Sequence, residues 1–198
     1  LLLNPGELAR LRADRSLRME LNAARQKRFT LGFLAYGAQA ELRMPATETT
    51  YHINLTTSGR TFAERGDGTR AVTQARRSGV VLLPDQLNTV RWTPDAEQLI
   101  LKIPRTRLES HLADLVGRPV DKPVDFRFGF STATGRGRSL LATVEFLARE
   151  LDRPGGIAWV GDRSAVGGRV RPDRDARSLV RREAIEDAPN MVDRAPGH

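Results

Sequence analysis

The stretch YHINLTTSGRTFAERGDGTRAVTQARRSGVVLLP, Tyr51–Pro84, decides the fold of this chain. It contains four short runs with aromatic, β-branched or alternating residues, and segments rich in Gly, Ser, Asp and Arg separate them. Such runs are typical of strands, and their spacing of about 8 to 12 residues is typical of all-β sandwiches and barrels. This part of the sequence therefore predicts four strands joined by short turns.

Two runs before this stretch and two after it extend the block to eight predicted strands. They are FTLGFLAY (29–36), AQAELRM (38–44), NTVRWT (88–93) and EQLILKI (97–103). The runs VVLLP and LILKI are almost continuously apolar, as expected for strands that are covered on both faces. The run YHINLTT instead alternates, with Ile53 and Leu55 on one face and His52, Asn54 and Thr56 on the other. We predict a mainly β fold, a barrel or jelly roll with a partly polar interior and flanking helices.

Two amphipathic helices are predicted after the strands. In IPRTRLESHLADLVG (103–117), Pro104 suits a first helical turn and Gly117 suits a helix end. The apolar residues of this helix are Leu108, Leu112, Leu115 and Val116. In RGRSLLATVEFLARELDRPG (136–155) the apolar spacing is also helical, and Pro154 ends the pattern. The apolar residues of this second helix are Leu140, Leu141, Val144, Phe146, Leu147 and Leu151.

The N-terminal segment predicts a third helix. In NPGELARLRADRSLRMELNAA (4–24), Asn4 suits the cap and Pro5 the first helical position, although the apolar face is thin. We divide the chain into an N-terminal helical segment at 1–27, a β domain at 28–157 and a tail at 158–198.

Composition narrows the classes of function. With 198 residues the chain suits one domain and an appendage, and without Cys it forms no disulfide, thiolate metal site or thiol nucleophile. No apolar run reaches the roughly 18 residues of a membrane span, and the segment that starts at Leu1 lacks the pattern of a signal peptide. The net charge of +8 is spread along the whole chain, so no dedicated basic patch for DNA is predicted. We expect a cytoplasmic protein with no membrane partner.

The sequence offers little catalytic chemistry. His52, His111 and His198 lie too far apart to form the metal site of a cupin barrel, which needs several convergent ligands, so we predict no metal and no other cofactor. The chain has no G-x-S-x-G motif, and the adjacent Ser110 and His111 project about 100° apart on a helix. GRGRSL (135–140) lacks the βαβ context of a phosphate-binding turn. We therefore predict no catalytic residue.

The remaining candidate site is the interior of the barrel. Large or polar residues in the predicted strands could line a ligand cavity there. These ligand-pocket candidates are Tyr36, Tyr51, His52, Asn54, Arg91 and Trp92. Ordinary packing with one hydrogen-bonded polar tip is the alternative for each, because Tyr, Trp and His often fill small barrels.

Six phrases of the sequence follow one another in a characteristic order. They are RFTLGFLAYGAQAELR, YHINLTTSG, SGVVLLPDQ, LILKIPRTRLESHLADLVGRPV, VDFRFGFS and LLATVEFLARELDRPGG. Their order resembles that of the N-terminal ligand-binding-like domain of AraC/XylS-type transcription regulators. The resemblance extends from Arg28 to Gly156, and its most specific phrase is the apolar strand that runs into IPRxxLExxL (103–112).

This resemblance implies a cupin-like β-barrel with C-terminal helices that senses a small-molecule effector, forms a homodimer, or does both. In this family of bacterial-type regulators a separate C-terminal domain with two helix-turn-helix units reads DNA, so we expect no specific DNA binding by this chain itself. Family helices on the barrel can form a dimer face, so the stripe Leu140, Val144, Leu147 and Leu151 is either an interface or core. A stand-alone small-molecule-binding cupin, working as a metal-independent enzyme, is the alternative function.

The sequence after Trp159 has no apolar periodicity and is rich in Arg, Gly, Asp and Pro. Such a segment buries too little apolar surface to offset the cost of ordering its backbone, about 1 to 2 kcal/mol per residue. We expect a disordered tail in place of the DNA-binding half, and a truncated or frameshifted product is one hypothesis for its composition.

Overall fold

A computed structural model describes residues 11–13, 18–153 and 168–169 of the chain. The helices in this part are α1 (Arg105–Val116) and α2 (Gly135–Asp152). The strands are β1 (Leu11–Ala13), β2 (Glu20–Arg25), β3 (Thr30–Ala35), β4 (Ala40–Met44), β5 (Thr50–Ser58), β6 (Arg60–Arg65), β7 (Arg70–Gln74), β8 (Ser78–Leu82), β9 (Asn88–Trp92), β10 (Glu97–Pro104), β11 (Gly129–Ser131) and β12 (Gly168–Arg169).

The eight predicted strands are confirmed as β3 to β10. Strands β4 and β9 alternate between buried positions and more exposed ones, as period-two sequences do when one face meets a core. Strand β8 is buried at nearly every position, in agreement with the continuous apolar run VVL.

Two antiparallel sheets contain these strands. The first sheet has the order β1-β4-β9-β6-β7, and the second sheet has the order β11-β8-β5-β10-β3-β2-β12. From β3 to β10 the chain changes sheet at every connection except the β6–β7 hairpin. The resulting orders β4-β9-β6-β7 and β8-β5-β10-β3 are those of a jelly roll. The predicted fold class, mainly β with flanking helices, is confirmed.

The main hydrophobic core fills the space between the two sheets, which is called the interior below. Leu42, Val90 and Trp92 of the first sheet belong to the same buried cluster as Leu34 and Ile100 of the second. Each of these side chains is at most 4% exposed. Burial of an apolar side chain of this size stabilises a fold by about 1.5 to 3 kcal/mol.

Helix α2 covers the outer face of the second sheet. Its buried residues Leu141 and Val144 pack with Leu31, Leu55 and Leu99 of that sheet. The stripe considered for a dimer, Leu140, Val144, Leu147 and Leu151, packs in this intramolecular cluster. Val144 is buried in this cluster, and Leu140, Leu147 and Leu151 are partly buried in it. Phe146, 45% exposed, lies on the opposite, solvent-facing side of the helix.

Helix α1 lies against the same face of the second sheet but packs less tightly. It begins after Pro104, whose φ of −55° suits a helix start, and ends at Gly117, which has the left-handed φ of 69°. Leu108 packs near Tyr51 in a third buried cluster. Leu115 is 71% exposed, so the predicted apolar stripe is covered only in its first half.

The predicted N-terminal helix is wrong for the residues that the structure describes. Strand β1 pairs with β4, and strand β2 forms a hairpin with β3. Met19 and Leu21 enter the interior while Glu20 faces solvent, which is the period of a strand. Pairing with β3 lets these two apolar residues reach the core, and this non-local gain outweighs the local helix propensity of Arg, Glu and Ala. Residues 1–10, with Asn4 and Pro5, and 14–17 lie outside the described residues.

The expected disordered tail falls almost entirely outside the described residues. The exception is β12, which pairs with β2 at the edge of the second sheet. Neither α1 nor α2, the helices in the described part of the chain, is long and apolar enough to cross a membrane.

Candidate functional site

Four of the six predicted pocket residues face the interior, and two do not. In β5, His52 and Asn54 point inward, as the alternating pattern of the run predicts. Tyr36 and Trp92 also point inward, with ring centroids 4.9 Å apart in an edge-to-face arrangement. Tyr51 and Arg91 were predicted wrongly, because each lies one position away from an inward-facing residue of its strand.

Tyr51 faces α1 and not the interior. Its ring is fully buried against Phe126, and its hydroxyl donates to Glu109 Oε1 at 3.1 Å. The same hydroxyl accepts the backbone N–H of Val124 at 2.6 Å. Burial is the main reason that the pKa of Tyr51 is raised to about 12. Tyr51 therefore fastens α1 and the segment after it to the second sheet.

Arg91 faces outward on the first sheet, where its side chain is 56% exposed and pairs with Glu41. It lies beside Phe62 and Val72, 45% and 57% exposed, in an open groove of about 750 Å³. The groove lies on the side of the sheet opposite the interior, so Arg91 cannot line a chamber inside the jelly roll.

The interior has two ends with different polar chemistry. The threonine end, where β6 begins, consists of Thr56, Thr61, Thr73, Trp92 and Gln98. The arginine end, where β6 finishes, consists of His52, Arg65, Asn88, Lys102 and Phe128. Asn54 lies between them, one inward position along β5 from each.

The polar groups of the threonine end satisfy one another. Trp92 Nε1 donates to Gln98 Oε1 at 2.9 Å, and Gln98 Nε2 donates to the hydroxyls of Thr56 and Thr61. The Thr73 hydroxyl forms short hydrogen bonds with the same two threonines. All five residues are at most 2% exposed. Buried polar groups with such partners stabilise and specify a fold.

A close backbone approach also closes the threonine end. Gly59, in the turn between β5 and β6, has the left-handed φ of +60°. A Cβ atom there would lie 2.7 Å from the backbone of Ala96, which is too close for any side chain. The turn between β5 and β6 therefore packs directly against the backbone of Ala96.

At the arginine end, two rows of residues face each other across the interior. On the first sheet Asn88 lies between its cross-strand partners Arg65 and Met44. On the second sheet His52 lies between Lys102 and Leu82. Directly opposed cross-strand residues share a face of their sheet, so both rows point inward.

Arg65 is a nearly buried cation with weak partners. Its side chain is 10% exposed, and its guanidinium lies 4.7 Å from the ring centre of Phe128. Its polar contacts are long, with 3.5 Å from Nη2 to the carbonyl oxygen of Phe126 and 3.9 Å from Nη1 to Asp125. The Nε atom has no hydrogen-bond partner among the described residues.

His52 is held neutral. The residue is 5% exposed, and burial lowers the pKa of its imidazole well below the ordinary value of 6.5. The ammonium of Lys102 lowers the pKa further. A neutral imidazole at pH 7 can both donate and accept a hydrogen bond.

Two amide oxygens at and near the arginine end lack protein donors. Asn54 and Asn88 are 2% and 3% exposed, and Oδ1 of each has no hydrogen-bond partner among the described residues. Asn88 already uses Nδ2 to donate to the carbonyl oxygen of Gln86. A buried amide oxygen without a donor costs about 1 to 3 kcal/mol, which a ligand with a donor group would recover.

Sequence reasoning missed Arg65, Asn88 and Gln98. The signal for them was the alternation of their strands, since RTFAER has Thr61, Ala63 and Arg65 on one face. An arginine at the end of a strand is ordinarily a solvent-facing residue, so this pattern alone does not distinguish it.

The potential metal ligands His, Asp and Glu are not clustered in the described part of the chain. No group of three or more His, Asp or Glu residues there is arranged to hold a metal ion. His52 is buried inside and His111 is exposed on α1, so the structure does not bring them together. His198 lies outside the described residues.

Comparison with known proteins agrees with this architecture. The family model of the AraC-binding-like domain matches residues 4–165. A probable thc operon regulatory protein from Rhodococcus erythropolis is 31% identical over 157 residues, which are 78% of this chain and 47% of that protein. The chain thus spans about half the length of this curated relative.

A solved regulator structure shares the fold, and a cupin domain gives a weaker match. The crystal structure of the AraC-like transcriptional activator CuxR has a TM-score of 0.56 at 14% identity, over 95% of this chain and 75% of that one. The Schizosaccharomyces pombe Cnp3 cupin domain has a TM-score of 0.37 at 8% identity, over 58% of this chain and 80% of that one.

Proposed function

The chain belongs to the family of AraC-binding-like domains, and from this premise we propose that it is the effector-sensing domain of an AraC-type transcription regulator. Its relatives include a probable operon regulatory protein and an AraC-like activator. The described residues form the jelly roll and its covering helices. In this proposal a different part of the regulator recognises DNA, because the basic charge of this chain is not gathered on one element.

The incomplete hydrogen bonding at the arginine end is the observation that carries this proposal. The threonine end supplies a partner to each polar group of its network, whereas Asn54 and Asn88 keep unpartnered amide oxygens. Unpartnered polar atoms in an interior are rare, and strain, an ordered water or ion, or a functional role accounts for them. A small molecule bound between the two rows would complete them.

We propose binding rather than catalysis at this site. An enzyme of the metal-independent kind would need an acid and a base in contact, such as His52 with a carboxylate. The ionisable group that acts on His52 is instead Lys102, a cation, and no carboxylate is hydrogen-bonded to His52 within residues 18–153.

A homodimer is part of the proposal, with the contact on the solvent side of the helices. The stripe Leu140, Val144, Leu147 and Leu151 is occupied by intramolecular packing. Phe146, Leu115 and Val116 are exposed apolar residues of α2 and α1 and remain available for such a contact. Light scattering on the wild type and on Phe146→Glu tests this part, and a monomeric wild type contradicts it.

A thermal-shift screen of the 198-residue chain against polar metabolites tests the effector site. A compound that binds only the folded state increases the free energy of unfolding, by about 2.7 kcal/mol when its concentration is a hundred times Kd. The Tm of the protein rises as a result. We expect a stabilising compound whose effect is lost in Asn88→Leu and retained in Phe62→Ala, a control on the outer groove. A compound whose effect both variants retain would place its site elsewhere.

A further inference from the structure

We propose that the arginine end recognises a small carboxylate, and that Arg65 is the residue that binds the carboxylate group. This inference rests on the proposed function and names the chemical class of the effector. It is carried by the burial and weak pairing of one cation, together with the charges of the positions around it.

Arg65 has the donors of a carboxylate site without an acceptor of matching strength. Hydrogen bonds between a guanidinium and a carboxylate are normally about 2.7 to 2.9 Å long and often bidentate. The contacts of Arg65 to Phe126 and Asp125 are 3.5 and 3.9 Å long. Arginine is almost never this deeply buried without a close partner, because its charge loses hydration there.

Asp125 is not a strong ion-pair partner for Arg65. The Asp125 side chain is 85% exposed, so its charge is well hydrated and its attraction to Arg65 is screened. A carboxylate that reaches the guanidinium would not have to displace a strong ion pair.

The interior offers positive charge and no negative charge around this position. In β5, β6, β9 and β10 the inward-facing positions hold Arg65 and Lys102 as ionisable cations, neutral His52, and no Asp or Glu. A low-dielectric site with one sign of charge concentrates ligands of the opposite sign. An anion therefore fits this end better than a cation or a neutral molecule of equal size.

The geometry favours a planar carboxylate over a phosphate. Phe128 lies across one face of the guanidinium, which leaves its edge for a flat, bidentate acceptor. Oδ1 of Asn88, which lies directly opposite Arg65, has no hydrogen-bond partner among the described residues, whereas its Nδ2 donates to the carbonyl oxygen of Gln86. A ligand hydroxyl or amine next to the carboxylate would donate to that oxygen.

Nitrogen-15 NMR of the full chain tests the proposal with acetate as the probe. The Nε–Hε signal of a buried arginine exchanges slowly with water, so Arg65 is observable where exposed arginines are not. We expect this signal to shift saturably with sodium acetate, and to stay unchanged with sodium chloride at equal ionic strength and with acetamide. A shift that chloride reproduces, or no saturable shift, overturns the proposal.

Two substitutions assign the effect to the charge of Arg65. Arg65→Gln should weaken acetate binding at least tenfold, measured through the neighbouring backbone amides. Arg91→Gln removes the same charge from the outer face and should leave acetate binding unchanged. If both variants lose acetate affinity equally, the net charge of the protein explains the binding, and the proposal is overturned.

Asn88→Asp provides a variant that does not depend on removing Arg65. The new carboxylate lies opposite Arg65 and occupies the place proposed for the ligand, so we expect a higher Tm and no acetate response. A normal acetate response in a folded Asn88→Asp variant contradicts the proposal. If acetate fails while a neutral metabolite binds inside the jelly roll, the carboxylate inference is wrong and the proposed function stands.

Discussion

The threonine end and the arginine end share strands β5, β6, β9 and β10, yet their polar groups differ in hydrogen bonding. At the threonine end Gln98 connects Trp92 with Thr56 and Thr61 in a buried network. At the arginine end the Nε atom of Arg65 and the Oδ1 atom of Asn88 have no partner among the described residues. The difference separates a part of the interior that maintains the fold from a part that can accept a ligand.

Under the proposed function, this contrast gives the two ends different roles. A satisfied network fixes the spacing of the two sheets, because every member is held by at least one other. Unsatisfied groups lower the stability of the ligand-free state, and a ligand that pairs them gains that free energy on binding. The two ends therefore differ in what a substitution should change, stability at one and ligand response at the other.

Trp92→Ala should have the largest effect on stability. The indole is 2% exposed and packs on Tyr36, and truncation of a buried Trp costs about 3 to 5 kcal/mol. Urea unfolding followed by circular dichroism measures the loss. Phe62→Ala, which removes a half-exposed ring from the outer face, is the control and should cost far less. Similar losses for both would mean that the threonine end is not a structural centre.

Thr73→Val removes a hydroxyl from the hydrogen-bond network of the threonine end and leaves the side-chain volume almost unchanged. Its hydroxyl bonds both Thr56 and Thr61, so the valine leaves buried hydroxyls with fewer partners. The expected loss is about 1 to 3 kcal/mol in urea unfolding. An unchanged midpoint would show that this network contributes little to stability.

Asn54→Leu should behave differently, although Asn54 is buried to a similar degree. Its Oδ1 has no protein donor, so an apolar side chain of similar size removes a cost rather than a bond. We expect the free energy of unfolding to stay within about 1 kcal/mol of the wild type or to rise. A loss as large as that of Thr73→Val would remove the distinction between the two ends.

Between pH 7.5 and 5, the pH dependence of stability should report His52 at the arginine end. Unfolded chains bind a proton on His52 near pH 6.5, whereas the folded state resists protonation because the pKa of His52 is lowered. Stability should therefore fall as the pH drops below 6.5, and His52→Gln should reduce that slope. Denaturant midpoints between pH 7.5 and 5 measure this, with His111→Gln on the exposed face of α1 as the matched control. A slope that only the His111 variant reduces would contradict the assignment.

Much of this organisation can be predicted from the sequence. The eight strands follow from period-two runs and turn residues, and the inward direction of His52, Asn54 and Thr56 follows from strand alternation. The helices follow from apolar spacing, with Gly117 marking one end. These features depend on neighbours in sequence, and for that reason a single chain reveals them.

The remaining features depend on pairings between distant residues. Strand β2 is a strand because β3 lies beside it, and no local signal in MELNAA indicates that partner. Tyr51 was assigned to the pocket although its neighbour His52 points inward, an error of one position that reverses the face. At the arginine end, residues of β5 lie beside residues of β10, and residues of β6 lie beside residues of β9. Which polar side chains meet there can be read only once the strand order of the sheets is known.

The most direct test of the division between the two ends is the Tm shift produced by one stabilising compound on three proteins: wild type, Asn88→Leu and Thr73→Val. We expect the compound to raise the Tm of the wild type and of Thr73→Val by similar amounts, and to leave Asn88→Leu unchanged. A shift that survives in Asn88→Leu and disappears in Thr73→Val would contradict the placement of the effector at the arginine end.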